Sequence, residues 1–430
     1  MNLKQTYLSF KSTFLSNSVL KRCIYVFLYF VLVAVLAPFL ANDKPLVCKY
    51  KHHWLFPAFS VKSHIIIDNE IINYNMGKEW KYVETDFSIF PICAYSPNTI
   101  DADNAPRKSP FDNQVLTLKN GTQFSLPYKF RHWLGTTQNG TDVLSGIIHG
   151  AQISLSIGFF SMLIAALLGI MIGASAGYFE NNSLKIRYFQ LLFLFLSLFI
   201  SYFICFIIRE DSFSNGFKNG GIELIFQLLF SIYIFIQNTY ILLKIGKWID
   251  EKLHINHALN FPLDSLVMRT IEILNSIPTL LLILAISAIS KPSYSLLIVI
   301  IGFLSWTNIA RLTRAEYLKA KQMDYVTSCK AIGMSHYRTM IKHILPNVLP
   351  IISVQIVFGL AGAVLVESSL SFIGVGIPLN SISWGSLLNE ARNHFSAWWL
   401  VVYPGICIFT LIYTYNKIAA ELSKIVSHSS

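Results

Sequence analysis

Apolar runs long enough to be buried whole alternate with shorter polar connections along most of this chain. Such runs occupy residues 23–40, 153–178, 188–208, 222–243, 266–289, 295–310 and 351–366, and a last one ends at Asn416-Lys417. An α-helix needs roughly 20 apolar residues to cross about 30 Å of hydrocarbon, so the pattern predicts about eight membrane helices. The expected fold class is an all-α polytopic membrane protein. Lys21-Arg22, ahead of the first run, keeps the N-terminus inside, and an even number of crossings returns the C-terminus to the same side. The run at 23–40 can be read as a signal peptide, but its long polar leader and weak cleavage-site chemistry favour a retained helix.

One connection breaks the rhythm. Residues 41–146 are mixed in charge and hold prolines, tyrosines and tryptophans. A β-like run at 64–67 and turn signals at Ser96-Pro97-Asn98 and Lys119-Asn120-Gly121 predict a small external subdomain. Its lysines do not oppose that placement, because long translocated loops escape the positive-inside bias.

Within the runs, Gly169, Gly173 and Gly177 form small-xxx-small pairs, which predict close helix packing. Arg269 and Glu272 share a helix face and can pair, or they can serve as charges of a transport path. Pro278 predicts a kink that neighbouring helices tolerate. Arg311, Arg314, Lys319 and Lys321 mark the cytoplasmic end of the next helix.

The most informative stretch is polar and basic, at residues 324–350. A short helix is expected over 325–332, stopped at Gly333 in the left-handed position that suits a helix end. Ser335 is expected to cap a second helix, which Leu345-Pro346 should break. Small residues at Ser328, Cys329 and Ala331 allow the first helix to sit close inside another protein's groove. An ordinary cytoplasmic loop between membrane helices is the plainer reading of the same residues.

Gly333, followed at a fixed interval by Leu345-Pro346, with Asp324-Tyr325-Val326 ahead of it, resembles the coupling loop of ABC import permeases. That family's Glu-Ala-Ala falls here on Thr327, Ser328 and Cys329. A second stretch, Leu134-Gly135-Thr136 then Gly140, Asp142 and Val143, resembles the segment preceding the core helices of dipeptide and oligopeptide permeases. Thr137 and Thr141 replace its Asp and Arg, so no salt bridge is assumed there. A third runs from Glu367 through Leu370-Ser371-Phe372, Gly374 and Gly376 to Trp384-Gly385, Trp398-Trp399 and Pro404-Gly405. It resembles the C-terminal signature of the same permeases, without the prolines usual where Asn380, Ser381 and Ile382 stand. Gly374 and Gly376 suit an external turn, and Trp398 and Trp399 suit interfacial anchors. Glu367 either contacts a peptide's amine on the translocation path or fixes the turn.

The resemblance covers residues 133–179 and 264–413 and identifies the chain as an ABC importer type I permease of the dipeptide/oligopeptide family. The runs at 188–208 and 222–243 have no counterpart in the family pattern and read as an inserted hairpin. The implied organisation is a cytoplasmic tail at 1–22, a first membrane helix at 23–40 and an extracytoplasmic subdomain at 41–146. A first core helix at 147–180 and the hairpin at 181–262 follow, then a core at 263–430 with its coupling loop at 312–349. The resemblance assigns ATPase coupling to Tyr325, Thr327, Ser328, Cys329, Ala331 and Gly333. It assigns a structural signature to Gly135, Asp142, Pro346, Gly374, Trp384 and Gly385. The implied setting is the bacterial inner membrane. The implied partners are a second, distinct permease chain, two ATPase subunits that carry the ATP and magnesium, and an extracytoplasmic peptide-binding protein.

Composition agrees with a membrane chain. Of its 430 residues 53% are hydrophobic and only 13% charged, and the net charge of +11 is spread over loops with no nucleic-acid-binding motif. The six cysteines have no metal-ligand spacing, although a disulfide between Cys48 and Cys93 is chemically permitted outside the cytoplasm. No phosphate-binding G-x-x-x-x-G-K-[ST] occurs, nor H-E-x-x-H or G-x-S-x-G, so this chain is expected to bind no cofactor and to be no enzyme. Nickel and antibiotic-peptide importers share much of the pattern. An ion-coupled transporter needs ionisable residues in mid-helix, and few stand there beyond Arg269, Glu272 and Glu367. An assembly factor built around the external subdomain leaves the spacing around Gly333 and Trp384 unexplained.

Overall fold

The computed structural model describes residues 17–50, 53–59, 64–67, 70–73, 86–117, 122–181, 183–209, 211–212, 221–253, 258–289, 292–376, 378, 381–392, 394 and 396–429. The tail before residue 17, His52, the Lys119-Asn120-Gly121 turn, most of the link at 210–220 and Asn380 lie outside them. The helices are α1 (Ser18–Leu40), α2 (Val143–Phe179), α3 (Tyr188–Tyr202), α4 (Gly221–Lys252), α5 (Leu263–Ser276) and α6 (Thr279–Ile289). They continue with α7 (Tyr294–Lys321), α8 (Asp324–Ala331), α9 (Leu345–Ile373), α10 (Trp384–Ala391) and α11 (Trp399–Ser429). Among the described residues seven helices are long and apolar enough to span a membrane, and the bent pair α5–α6 makes an eighth where its two halves count as one span. The number and nature of the crossings therefore follow the apolar runs. Several helices outrun them, because capping and terminal turns continue into polar sequence. Asn17 caps α1 by accepting from the Val19 and Leu20 amides, and Lys319 and Lys321 suit the negative end of α7.

The chain divides into two compact units. One holds the described residues up to Phe159 together with Leu360–Ile425, and the other holds Phe160–Gly359. In the first, α1 leads into a module of short strands. β1 (Val47–Tyr50) lies between β2 (His53–Leu55) and β5 (Phe87–Ile89) in an antiparallel sheet. β3 (His64–Ile67) pairs with β4 (Glu70–Asn73), and β6 (Val115–Thr117) with β7 (Gln123–Ser125). Ala37 and Ala41 from the end of α1, Cys93 and Tyr95 from the module and Ile148 of α2 share one small core. The Asn17 side-chain amide donates to Glu421 of α11 at 2.8 Å, so the two ends of the described chain lie side by side. Cys48 and Cys93 are buried free thiols, and the disulfide permitted by sequence is not formed. The Cys93 thiol donates instead to Asp142 at 3.1 Å.

In the second unit α3 and α4 make an antiparallel hairpin closed at its base by β8 (Lys185–Arg187) and β9 (Ala258–Asn260). Polar groups line its seam, where side-chain hydrogen bonds replace the hydrophobic drive that lipid cannot supply. Asn238 donates to Ser201 at 2.8 Å, and Asp250 accepts from the Phe189 and Gln190 amides that open α3. The kink expected at Pro278 is a full break, with α5 and α6 at 77°. Ile277, which precedes the proline, is extended because the pyrrolidine ring disfavours helical geometry there.

Two expectations for the polar stretch need correction. Leu345-Pro346 does not end a helix: residues 336–373 continue through a π-helical segment at Thr339–Ile344, where the Leu345 amide reaches back to Met340. The widened turn accommodates a proline that has no N–H and crowds the preceding carbonyls. Ser335 stands at the N-cap, but its side chain makes no capping bond, and its carbonyl takes the Thr339 amide.

Candidate functional site

The candidate coupling surface is built from the ends of α2, α7 and α9 around α8, all in the second unit. Gly173 and Gly177 let α2 approach α7 so closely that an added Cβ would fall 2.4 Å from the Ala310 carbonyl oxygen and 2.6 Å from that of Arg314. The small-xxx-small pairs therefore pack as expected. Past that crossing, Arg314 grips the Asp264 carboxylate of α5 with two guanidinium nitrogens, and Lys321 meets Glu180 at 2.7 Å. The Tyr317 hydroxyl donates to the Met340 carbonyl at 3.1 Å, and the Tyr178 hydroxyl shares a 2.9 Å hydrogen bond with His336 Nδ1. The chain entering and the chain leaving α8 are thus tied to α2, α5 and α7.

On α8 itself, Val326 and Cys329 share the buried face, whereas Thr327, Ser328 and Ala331 are exposed and Tyr325 is half-buried. Cys329 turns away from the outer face, because a step of three residues from buried Val326 returns to the same side of the helix. The Thr327 and Ser328 hydroxyls both donate to the Asp324 carbonyl at 2.8 Å. Gly333 ends the helix at φ +73°, in open surroundings, so the left-handed backbone and not crowding calls for glycine. Close to it in the chain Ile332 is 74% exposed and Tyr337 76%, and Lys330, Arg338 and Lys342 are exposed as well. Sequence reasoning placed no role on Ile332 or Tyr337. Their signal was present as two large apolar residues flanking the glycine of an otherwise polar stretch.

The first unit gathers the signature residues other than Pro346. The loop 132–142 folds on itself, with the Thr137 and Thr141 hydroxyls 2.7 Å apart. Gly140, at φ +81°, lies against Asp101, whose carbonyl oxygen would be 2.3 Å from an added Cβ. Asp142 caps α2 by accepting from the Ser145 amide at 2.7 Å, and His132 places Nδ1 2.8 Å from the same carboxylate and Nε2 3.1 Å from Asp101. Burial alone would lower the His132 pKa, but the hydrogen bonds and charges of both carboxylates outweigh it and raise the value. Trp384 is fully buried, and its indole donates to the Ile147 carbonyl at 2.9 Å. Gly385 comes within 2.5 Å, measured from an added Cβ, of the Ser368 carbonyl oxygen. Gly374 and Gly376 take left-handed φ values beyond the end of α9, as the turn reading requires.

Trp399 is not an interfacial anchor. It is buried, and its indole donates to the Thr136 carbonyl at 3.1 Å, because the bare Cα of Gly135 leaves room for the ring. Trp398 remains partly exposed. Glu367 has no exposed surface: Ser154, Ser371 and Ser368 hydroxyls donate to its carboxylate at 2.8, 2.9 and 3.3 Å. Arg269 and Glu272 form an exposed pair at 2.8 Å.

Residues 257–422 match the family of binding-protein-dependent transport system inner membrane components. The matched segment holds the α5–α6 bend, α8, Gly333 and the Trp384-Gly385 signature. The chain is 23% identical over 402 residues to the inner membrane ABC transporter permease protein YejE of Escherichia coli, covering 90% of this chain and 87% of that protein. It is 25% identical over 400 residues to the peptidoglycan transport system permease protein YejE of Agrobacterium fabrum, covering 87% and 81%. It is also 28% identical over 319 residues to the dipeptide transport system permease protein DppC of Haemophilus influenzae, covering 73% and 80%.

Proposed function

We propose that this chain is the permease subunit of an ATP-driven importer of di- and oligopeptides in a bacterial inner membrane. The observation that carries the reading is the exposure of Ile332 and Tyr337 on either side of Gly333, with exposed Lys330, Arg338 and Lys342 close by in the chain and with Tyr317, Tyr178 and the Asp264–Arg314 pair tying the neighbouring segments together. An exposed surface that mixes apolar and basic side chains fits a groove with acidic side chains on a partner, and an ATPase subunit is the partner that likeness to an ABC transporter permease implies. Two ATPases would hydrolyse ATP, and this chain would not. A second permease chain and an extracytoplasmic binding protein would complete the assembly. Closure of the ATPase pair would push on α8, and the ties from Tyr317 to Met340 and from Arg314 to Asp264 would pass the movement to α9 and α5.

Arg311, Lys319, Lys330, Arg338 and Lys342 gather at this end of α7 and α9, which supports a cytoplasmic placement. The Asn17–Glu421 bond supports both termini on one side. The relatives' names supply the substrate class. The peptidoglycan transport system permease of Agrobacterium fabrum aligns with more of this chain than DppC does, so transport of peptidoglycan material is the second reading.

The test is purification from native membranes with a crosslinker at position 332 (Ile332→Cys). Recovery of a crosslinked ATPase, with buried Cys329 unreactive, is the expected result. Purification without an ATPase in several mild detergents would overturn the assignment. Competition of labelled dipeptide uptake by muropeptides would separate the two substrate readings.

A further inference from the structure

In the first unit, a buried cluster of titratable groups joins the strand module to the start of α2 and plays no part in the coupling surface. His132 is fully buried with a carboxylate at each ring nitrogen, Asp142 at Nδ1 and Asp101 at Nε2. A neutral imidazole has one N–H and donates to only one of them; the imidazolium donates to both. The surroundings are built to hold the ring. Tyr95 stacks on it with centroids 4.1 Å apart and donates its hydroxyl to the Phe130 carbonyl at 2.6 Å. Gln114 fixes the His132 backbone from both sides, at 2.7 and 3.0 Å.

Both carboxylates are committed elsewhere as well. Asp101 accepts from Asn104 at 3.0 Å, and Asp142 caps α2 and accepts from the Cys93 thiol. Among the described residues the titratable groups at the ring include Asp101 and Asp142 at its edges, Tyr95 on its face and Cys93 behind Asp142. Arg131, next in the chain, turns to the Pro110 carbonyl at 3.0 Å.

We infer that His132 is a positioning residue which, as an imidazolium bridging Asp101 and Asp142, clamps the strand module to the N-terminus of α2 and releases it in alkaline medium. The sign follows from the burial and the paired carboxylates. The folded-state pKa is raised above the ordinary value of about 6.5, so the clamp is at full strength below that value and is lost as pH climbs through the raised one. Opening bares the Cys93 thiol, whose own pKa burial and the Asp142 carboxylate push well up in the closed state.

Cys93 is the reporter. Full-length protein in mild detergent is treated with a maleimide across pH 6–9, and the Cys93 peptide is quantified by mass spectrometry. Each rate is divided by that of the denatured protein at the same pH, which removes the ionisation of the thiol. The normalised rate should be low at pH 6 and rise by up to about tenfold per pH unit in the window between the two pKa values. His132→Gln should flatten the profile, because a glutamine holds no proton in that range, and Asp101→Asn should make it shallower, because only Asp142 is then left to hold the imidazolium. A flat profile in the unsubstituted protein, or a slope kept by His132→Gln, would overturn the clamp. Asp101→Asn guards against a His132 variant that fails to fold, and the readout does not depend on transport or on membrane orientation.

Discussion

Gly150 and Trp384 occupy one another's space: an added Cβ on the glycine would lie 2.6 Å from indole Cδ1 and 3.1 Å from the Trp384 backbone nitrogen. The ring is wedged over α2, where its N–H meets the Ile147 carbonyl. The Trp-Gly signature is therefore a packing device that joins α10 to α2.

Trp384→Phe keeps most of the ring and loses the donor. A lost buried hydrogen bond with a small void should cost about 1–2 kcal/mol, read as a lowered unfolding midpoint in detergent. Gly150→Val forces the ring out and should cost more. Equal midpoints for Trp384→Phe and the unsubstituted protein would remove the hydrogen bond from the account.

The α2–α7 crossing makes a sharper comparison. Gly173→Ala drives a methyl into the Ala310 backbone, which cannot rotate away, and overpacking of that kind costs about 1–3 kcal/mol. Gly362→Ala places the same methyl on another helix, where nothing lies within 4 Å. The first should lower thermal stability and the second should leave it unchanged or raise it. Matching losses would mean that helical glycine as such, and not the close approach, sets stability.

At the candidate coupling surface the exposed and buried faces of α8 should separate cleanly. Ile332→Asp and Tyr337→Ala should abolish ATPase co-purification and coupled uptake without moving the unfolding midpoint, because both side chains project outward. Val326→Asp should lower the midpoint, since it buries a charge against the permease itself. A stability loss from Ile332→Asp comparable to that from Val326→Asp would show that residue 332 serves this chain's own packing.

The pattern of membrane crossings was legible because each apolar run reports its own burial. Gly333 and Gly374 were legible because a left-handed backbone is a local demand. Trp399 was misread as an anchor because its burial depends on Gly135 and Thr136, far away in sequence. Leu345-Pro346 was misread because a π-helical turn, invisible to propensity, absorbs the proline. His132 went unnoticed because Asp101 joins it only when the module folds, whereas the paired threonines of the loop were at least visible as replacements of a charged pair. The facing of Cys329 depends on how α8 is rotated, which its polar sequence does not fix.

Glu390 of α10 supplies the last test. The Gln138 amide donates to its carboxylate at 3.1 Å across a long sequence separation. Burial raises its pKa, and the Gln138 amide, the charge of Arg107 and the Thr137 hydroxyl pull the other way without cancelling the shift. A carboxyl raised in the folded state favours folding while protonated and loses that contribution as pH rises through the raised value. Glu390→Gln keeps an oxygen for the Gln138 amide and removes the charge. It should raise the unfolding midpoint at pH 7, and the difference should close as pH falls toward the ordinary glutamate value of about 4.3. If Glu390→Gln instead lowers the midpoint at pH 7 and not at pH 4, the attraction of Arg107 for the ionised carboxylate exceeds the penalty of burying it, and the charge at Glu390 stabilises the loop 132–142.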